Sequence, residues 1–256
     1  MTHEHKKFIL KKKKENLKIK VSQIFILFIF IFTWEILAKS EIIDSFITSS
    51  PSNIIKTLIN LYNQKNLFIH IFITLKEVII SFFITTFLSL IISIILYTNK
   101  TISKIFDPYL TILNSLPKVA LGPLIIITLG ANTKSIITMA ILISIIISIQ
   151  NIYNGFNNTD KSKIKLLKTF NATKKDILFK LVIPSNKNTI LNTLKINISM
   201  CLIGVIQGEL LTSKAGIGYL IMYGTQVFNL NLVMTGIILL IIISYTLYLI
   251  IINIKI

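Results

Sequence analysis

Residues Asn154 to Asn188 read NGFNNTDKSKIKLLKTFNATKKDILFKLVIPSNKN. This polar island carries Lys161, Lys163, Lys165, Lys168, Lys174, Lys175, Lys180 and Lys187 against Asp160 and Asp176. It lies between the apolar runs Lys134–Tyr153 and Ile190–Leu211, each long enough to cross a bilayer. It is too long for a minimal turn between two spans and too short for a domain. Its apolar residues Ile164, Leu167 and Phe170, then Ile177, Leu178, Leu181 and Val182, recur at helical spacing. The stretch therefore predicts short amphipathic helices displayed at the basic face of a membrane, and such a surface needs something to dock against.

Composition supports this outward from the island. The chain has 256 residues, 53% of them hydrophobic and 14% charged, with a mean hydropathy of +0.77, as expected for an integral membrane protein. The formal charge of +17 comes from lysine alone, since the chain contains no arginine. Sixteen of the 27 Lys+Arg residues lie in the island and in the basic tail, residues 1–20. Clusters beside spans are a topology signal. No stacking aromatics accompany the lysines, which argues against nucleic-acid binding. The single cysteine, Cys201, sits in an apolar run, and His3, His5 and His70 form no ligand pattern with carboxylates, so no metal site is expected. The P-loop, the zinc-protease motif and the nucleophile-elbow motif are all missing, so no catalytic residues are expected. If ATP is involved, another subunit binds it.

The economical reading is an all-α membrane protein with a transmembrane domain over 21–256 and about six spans. These are Val21–Ala38, Val78–Tyr97, Val119–Gly130, Lys134–Tyr153, Ile190–Leu211 and Leu232–Asn253. The first apolar run is longer than a signal-peptide core, and Trp34-Glu35 is unlike a cleavage site, so a retained span is predicted. The third contains Gly122-Pro123, whose freed backbone groups must be satisfied inside the bundle. The tail, the Asn99–Lys118 connection, the island 154–189 and Lys255 fall on one side. Lys39, Lys56, Lys65, Lys134 and Lys214, partly offset by Glu41 and Asp44, fall on the other. Lysine asymmetry then places both termini in the cytoplasm of a cell-membrane protein. On the opposite side, Ser50-Pro51 supplies a helix cap and first-turn proline, followed by Ile54, Ile55, Leu58, Ile59 and Tyr62 at helical spacing. That helix either lies under a docked partner or only spaces two spans.

Polar residues inside spans are expensive and invite a functional reading. Glu209 ends the fifth run and follows Gly204, Gln207 and Gly208, where the two glycines form a GxxxG close-packing motif. Glu209 and Gly208 are candidates for a gate or pathway element; the other reading is an acid reaching interfacial water past a tight helix crossing. Ser81, Thr85, Ser89 and Ser93 recur every four residues on the second helix, either packing against another helix or lining a hydrophilic path. Ser144, Ser148 and Asn151 form a shorter version. Lys76-Glu77 reads as a structural pair at the membrane interface.

Taken in order, several segments resemble the permease subunits of binding-protein-dependent ABC importers, in the branch that includes nitrate, aliphatic sulfonate and taurine systems. They are Ser50-Pro51, Thr74-Leu75-Lys76, Asp107-Pro108, and Leu116-Pro117-Lys118-Val119-Ala120-Leu121-Gly122-Pro123-Leu124. Leu129-Gly130, the island ending Val182-Ile183-Pro184, Gly208-Glu209-Leu210 and Gly216-Ile217-Gly218 follow. Such permeases carry a cytoplasmic coupling loop of two short helices with the pattern EAA, three residues, glycine, nine residues, I-x-L-P. Here Lys165-Leu166-Leu167 replaces EAA, Asn171 falls on the glycine, Leu181 takes the Ile position, Ile183 the Leu position and Pro184 aligns with the proline. Asn tolerates a left-handed turn nearly as well as Gly, so the bend can survive.

The resemblance implies that Lys165, Leu167, Asn171, Ala172, Thr173, Leu181 and Pro184 belong to the ATPase-coupling loop. Ala172, at the tip, is small enough to enter a groove on the partner. It further implies a cytoplasmic ABC ATPase, an extracytoplasmic solute-binding protein and a second permease copy as partners, with ATP held by the ATPase and no cofactor in this chain. Two rival readings are a stand-alone secondary carrier or channel and a membrane enzyme acting on lipid. The first calls for charges paired near the bilayer middle, the second for acids, His or Lys clustered at one interface; this chain has few of either.

Overall fold

The computed structural model describes residues 3–43, 48–64 and 66–253. Asp44, Lys65 and Lys255, used above for the charge asymmetry, lie outside the described residues. No strand occurs among those described.

Helix α1 (His3–Lys39) runs unbroken from the tail through the first apolar run. Its far end is tied to α2 (Pro51–Asn63) by the Glu35 carboxylate, which accepts the Ser52 amide at 3.0 Å and the Ser52 hydroxyl at 2.6 Å. The Ser50 hydroxyl caps α2 by accepting the Asn53 N–H at 3.2 Å, and Pro51 occupies the first turn, as the dipeptide predicts. Ile54 and Leu61 are buried, while Ile55, Ile59 and Tyr62 are exposed, so α2 offers one face to the bundle and one outward.

Helix α3 (Leu67–Thr98) begins eleven residues before the predicted Val78. His70, Lys76 and Glu77 break the apolar run, yet tertiary partners described below accept His70 and Glu77 inside the bundle. A larger correction concerns the third span. Residues Val119–Gly130 do not form a straight crossing. Helix α4 (Lys100–Ser115) is capped by the Asn99 carboxamide and stops at Leu116, which is extended at φ −68°, ψ 139° before Pro117. A 3₁₀ turn (Lys118–Leu121) and α5 (Gly122–Leu129) follow at 88° to α4. Proline disfavours helical geometry in the residue before it, so the chain turns there instead of continuing. By length and hydropathy there are five candidate spans among the described residues, or six if this bent pair is one.

Helix α6 (Thr133–Asn157) opens on a capping box between Asn132 and Ser135. It is the most buried of these spans, with α3 on one side and α10 (Lys187–Thr212) on the other. Close approach to α10 follows from the GxxxG pair: a Cβ on Gly204 would lie 2.4 Å from Ala140 Cα, and one on Gly208 2.9 Å from Ile136 Cα. Helices α11 (Ile217–Gln226) and α12 (Leu230–Ile252) complete the bundle. Its core gathers Val78, Ala140, Cys201, Val205, Ile217 and Leu239 from five helices.

The island folds as a hairpin: α7 (Lys161–Thr169), α8 (Lys174–Ile177), a π-turn (Leu178–Val182) and α9 (Ile183–Ser185). In the π-turn the Ile183 N–H donates to the Leu178 carbonyl. The next residue, Pro184, has no N–H to restore the α-helical ladder at that point.

Candidate functional site

Two constellations, at opposite ends of the bundle, gather the polar chemistry of this chain.

The first is built on the loop between α10 and α11. Three successive backbone N–H groups, at the end of that loop and in the first turn of α11, donate to side chains. Gly216 donates to His70 Nδ1 at 3.0 Å, Ile217 to Thr74 Oγ1 at 2.9 Å, and Gly218 to Glu209 Oε2 at 2.6 Å. The Thr74 hydroxyl then donates to Glu209 Oε1 at 2.7 Å. His70 and Thr74 both come from α3, so the loop is laced to α3 and to the end of α10 at once. Glycine is required for steric reasons at Gly216, where φ is +117° and a Cβ would stand 2.4 Å from Glu209 Cδ. At Gly218 a Cβ would fall 2.7 Å from Glu209 Cβ. Glu209 is 1% exposed, so the acid does not reach interfacial water, as one of its two readings required. Both of its carboxyl oxygens are met by hydrogen bonds.

Glu77, one helical turn beyond Thr74, brings a second buried carboxyl against Glu209. Its Oε2 has no hydrogen-bond partner among the described residues. It lines a cleft of about 340 Å³ together with Lys76, Asn132, Thr133, Ser213 and Lys214. The interfacial pair read from Lys76-Glu77 is thus corrected: Glu77 is 2% exposed and points inward. His70, Thr74 and Glu77 are the residues missed from sequence. A signal was present, because Glu77 continues the four-residue register of Ser81, Thr85 and Ser89 backward by one turn.

Those hydroxyls lie at a helix seam within this chain. Ser81, Thr85, Ser89 and Ser93 are each at most 1% exposed. Thr85 shares a 3.1 Å hydrogen bond with Ser144, and Ser93 donates to the Ile149 carbonyl at 3.1 Å, both on α6. Ser81 and Ser89 donate to the Glu77 and Thr86 carbonyls of their own helix. Cys201 points at Ser144 from α10, 3.4 Å away. Ser148, also buried on α6, has no partner among the described residues.

The second constellation is the hairpin. Ile177, Leu178 and Val182 pack on Ile152 and Phe156 of α6. At its base the Asn186 carboxamide donates to the Thr159 hydroxyl at 2.8 Å and to the Val182 carbonyl at 2.9 Å. Gly155 allows the close approach, since a Cβ there would meet Thr189 Cγ2 at 2.7 Å. The hairpin is therefore welded to α6 and α10. Its turn uses Asn171 at φ +57°, the left-handed conformation expected for the residue in the glycine position. Thr173 and Asp176 form a capping box, with the Thr173 hydroxyl 2.5 Å from Asp176 Oδ2. The Lys180 ammonium, 2.7 Å from Asp176, and then the Thr173 hydroxyl hold the Asp176 carboxyl down at about 2.

Ala172, expected at the exposed tip, is instead half-buried against the α6 cluster. Leu167 and Leu181 are half-buried too, while Lys165, Thr173 and Pro184 are exposed. The apolar tip is Phe170, 73% exposed, with Leu166 beside it at 57%. Ile164, Leu167 and Phe170 share one helical spacing, which does not distinguish the face turned to the bundle from the one left outward. No three His, Cys, Asp or Glu side chains converge on a metal position among the described residues.

A helical bundle with a rigid hairpin at one end and a glycine loop pinned by a buried acid at the other defines a polytopic membrane protein of the permease class. The chain belongs to the family of binding-protein-dependent transport system inner membrane components, whose model matches residues 86–255, more than half its length. A probable ABC transporter permease protein of Haemophilus influenzae is 27% identical over 215 residues, 84% of this chain and 87% of that protein. A putative aliphatic sulfonates transport permease of Bacillus subtilis is 25% identical over 205 residues, 80% of this chain and 74% of that one. In fold, the chain is similar to the solved inward-facing MetNI methionine ABC transporter, with a TM-score of 0.62 at 17% identity, over 72% of this chain and 91% of that one. It is an ABC importer permease, a multi-pass membrane transporter subunit.

Proposed function

We propose that this chain is one of two identical channel-forming halves of an ATP-driven importer for a small solute. The hairpin lies on the cytoplasmic side with both termini and docks on a separate ATPase that binds the ATP; this chain itself carries no cofactor. The observation that carries the reading is the fastening of the hairpin to α6 and α10. A partner pushing on Phe170 and Leu166 moves the two central helices as one body, because Ile177, Leu178, Val182 and Asn186 leave no slack at the base. Surrounding lysines complement acidic groups on the ATPase. Movement of α10 is delivered directly to the Glu209 cluster at its other end. That cluster acts as the external latch of the pathway: separating α3 from α10 must break the Thr74–Glu209 bond and release the loop N–H groups together. An external solute-binding protein delivers the solute on that side. The sulfonate named for the Bacillus subtilis relative sets an example of cargo size, a small soluble molecule.

Phe170→Glu tests the coupling. Membrane insertion and complex assembly should persist while stimulated ATP hydrolysis is lost; unchanged stimulation removes the hairpin from its coupling role. Orientation has a separate test, because Cys201 is buried and silent to thiol reagents. Lys165→Cys should be labelled from the cytoplasmic side only and Lys214→Cys from outside only; the reverse pattern inverts the topology. Solute uptake by the purified chain with no ATPase present would favour the carrier reading instead.

A further inference from the structure

At the hairpin end of the bundle, α3 finishes at Thr98 and α6 at Asn157. Between these ends, the first turn of α4 and the inner side of the hairpin lies a cavity of about 600 Å³. Three lysines from three elements line it: Lys100 of α4, Lys168 of α7 and Lys174 of α8. Tyr97, Tyr153 and Asn157 add hydrogen-bonding groups, and no carboxylate lines it. Of the acids on these elements, Asp176 is engaged by Lys180 and Thr173, Asp160 accepts the Ser162 N–H at the start of α7, and Asp107 lies farther along α4 outside the cavity lining. None of the three forms an ion pair with Lys100, Lys168 or Lys174.

Like charges gathered on one cavity by three separate elements repel one another, and an anion held between these exposed lysines relieves that repulsion. The position matters as much as the charge. The cavity sits where two spans leave the apolar layer, and its wall runs from the polar Asn99 to Leu96 and Ile177. Ile95, next to Leu96, is exposed on the surface of α3. A basic pocket beside the exposed apolar surface of α3 suits a phosphate headgroup whose chains stay in the bilayer. The Tyr97 hydroxyl and the Asn157 carboxamide supply donors of the kind that phosphate oxygens accept, while the Tyr153 hydroxyl is shared with Ser103.

We propose that this cavity is a phosphate-binding site, filled in the membrane by an anionic phospholipid headgroup that props the hairpin against α3 and α4. The lipid assignment rests on the cytoplasmic placement of the hairpin, where anionic headgroups meet basic segments; binding itself does not depend on that placement.

The test uses the full chain in detergent, delipidated and then offered phosphatidylglycerol or phosphatidylcholine, with retained lipid counted by native mass spectrometry. Phosphatidylglycerol should be retained about tenfold more than phosphatidylcholine, and the triple variant Lys100→Gln, Lys168→Gln, Lys174→Gln should lose that preference. A control triple, Lys161→Gln, Lys163→Gln, Lys165→Gln, removes the same charge from the hairpin outside the cavity and should keep it. In a parallel arm, inorganic phosphate alone is offered to the lipid-free chain. Lysine-dependent phosphate binding without lipid preference would support the site and make free phosphate its source. Equal loss in both triples, or no preference for either anion over phosphatidylcholine, overturns the proposal. Because no ATPase is present, this outcome is independent of the Phe170→Glu result. Thermal stability equal to the parent's confirms that each triple is folded.

Discussion

Glu209 on α10 accepts the hydroxyl hydrogen of Thr74 on α3 at 2.7 Å, across 135 positions of sequence. The same hydroxyl accepts the Ile217 N–H, so one threonine joins an acid, a loop and a helix in a place with almost no water. Hydrogen bonds of this kind contribute modestly when made and cost more when a partner is removed, because the remaining buried group is stranded.

Thr74→Val keeps the shape and removes both bonds. It strands the Ile217 N–H and one oxygen of Glu209, and should destabilise the chain by about 1–3 kcal/mol. The thermal midpoint of the detergent-solubilised protein reads this directly. Thr74→Ser, which retains the hydroxyl, should restore most of the loss.

Gly216→Ala should be more damaging than Gly130→Ala, although both glycines have positive φ. At Gly130 the nearest atom to a new Cβ is Asn132 Nδ2 at 3.2 Å, a contact relieved by a small shift, whereas at Gly216 it is the Glu209 carboxyl at 2.4 Å. Backbone strain of about 1 kcal/mol or more applies to both, and displacement of Glu209 adds to it only at Gly216. Comparing the two thermal midpoints, and solute uptake in reconstituted complexes, separates the terms.

Gly204→Ala places its Cβ against backbone, 2.4 Å from Ala140 Cα, whereas Gly155→Ala meets the end of the Thr189 side chain at 2.7 Å. Backbone yields only by moving a helix, so Gly204→Ala should cost about 1–3 kcal/mol and Gly155→Ala less. Equal midpoints for the two variants would contradict the tight α6–α10 crossing.

Asn171→Gly should leave the hairpin intact or slightly firmer, and Asn171→Val should loosen it, because a β-branched residue resists φ near +57°. Hydrogen exchange of the α7 and α8 amides and stimulated ATP hydrolysis should change together in the valine variant.

The Asp176 carboxyl titrates at about 2, below its ordinary 3.8, because of Lys180 and Thr173. A lowered carboxylate stabilises the folded hairpin fully above its ordinary value, and that contribution fades as pH falls through 3.8 toward about 2. Amide exchange in the α8 turn should therefore show no Asp176-dependent change in protection between about pH 5 and 8 and should lose protection only in acid. Asp176→Asn should abolish the acid-dependent part.

The all-helical membrane class, the existence of five spans, the Ser50-Pro51 cap and the short helices of the island were legible in the chain itself, while the left-handed turn at Asn171 followed from the family resemblance. These features are local: twenty apolar residues, a capping hydroxyl or a turn conformation depend on neighbours close in sequence. Packing decided the rest. Glu77 is indistinguishable from an interfacial acid until α10 brings Glu209 against it, and α3 runs back to Leu67 because His70 and Thr74 find the Gly216 and Ile217 N–H groups there. Phe170 and Ala172 both lie in the turn between α7 and α8, and only the docking of α8 on Ile152 and Phe156 turns one outward and the other in. The desolvation cost of a polar group is set by what surrounds it in space, and partners as distant as positions 74 and 209 carry no mark of each other in linear order.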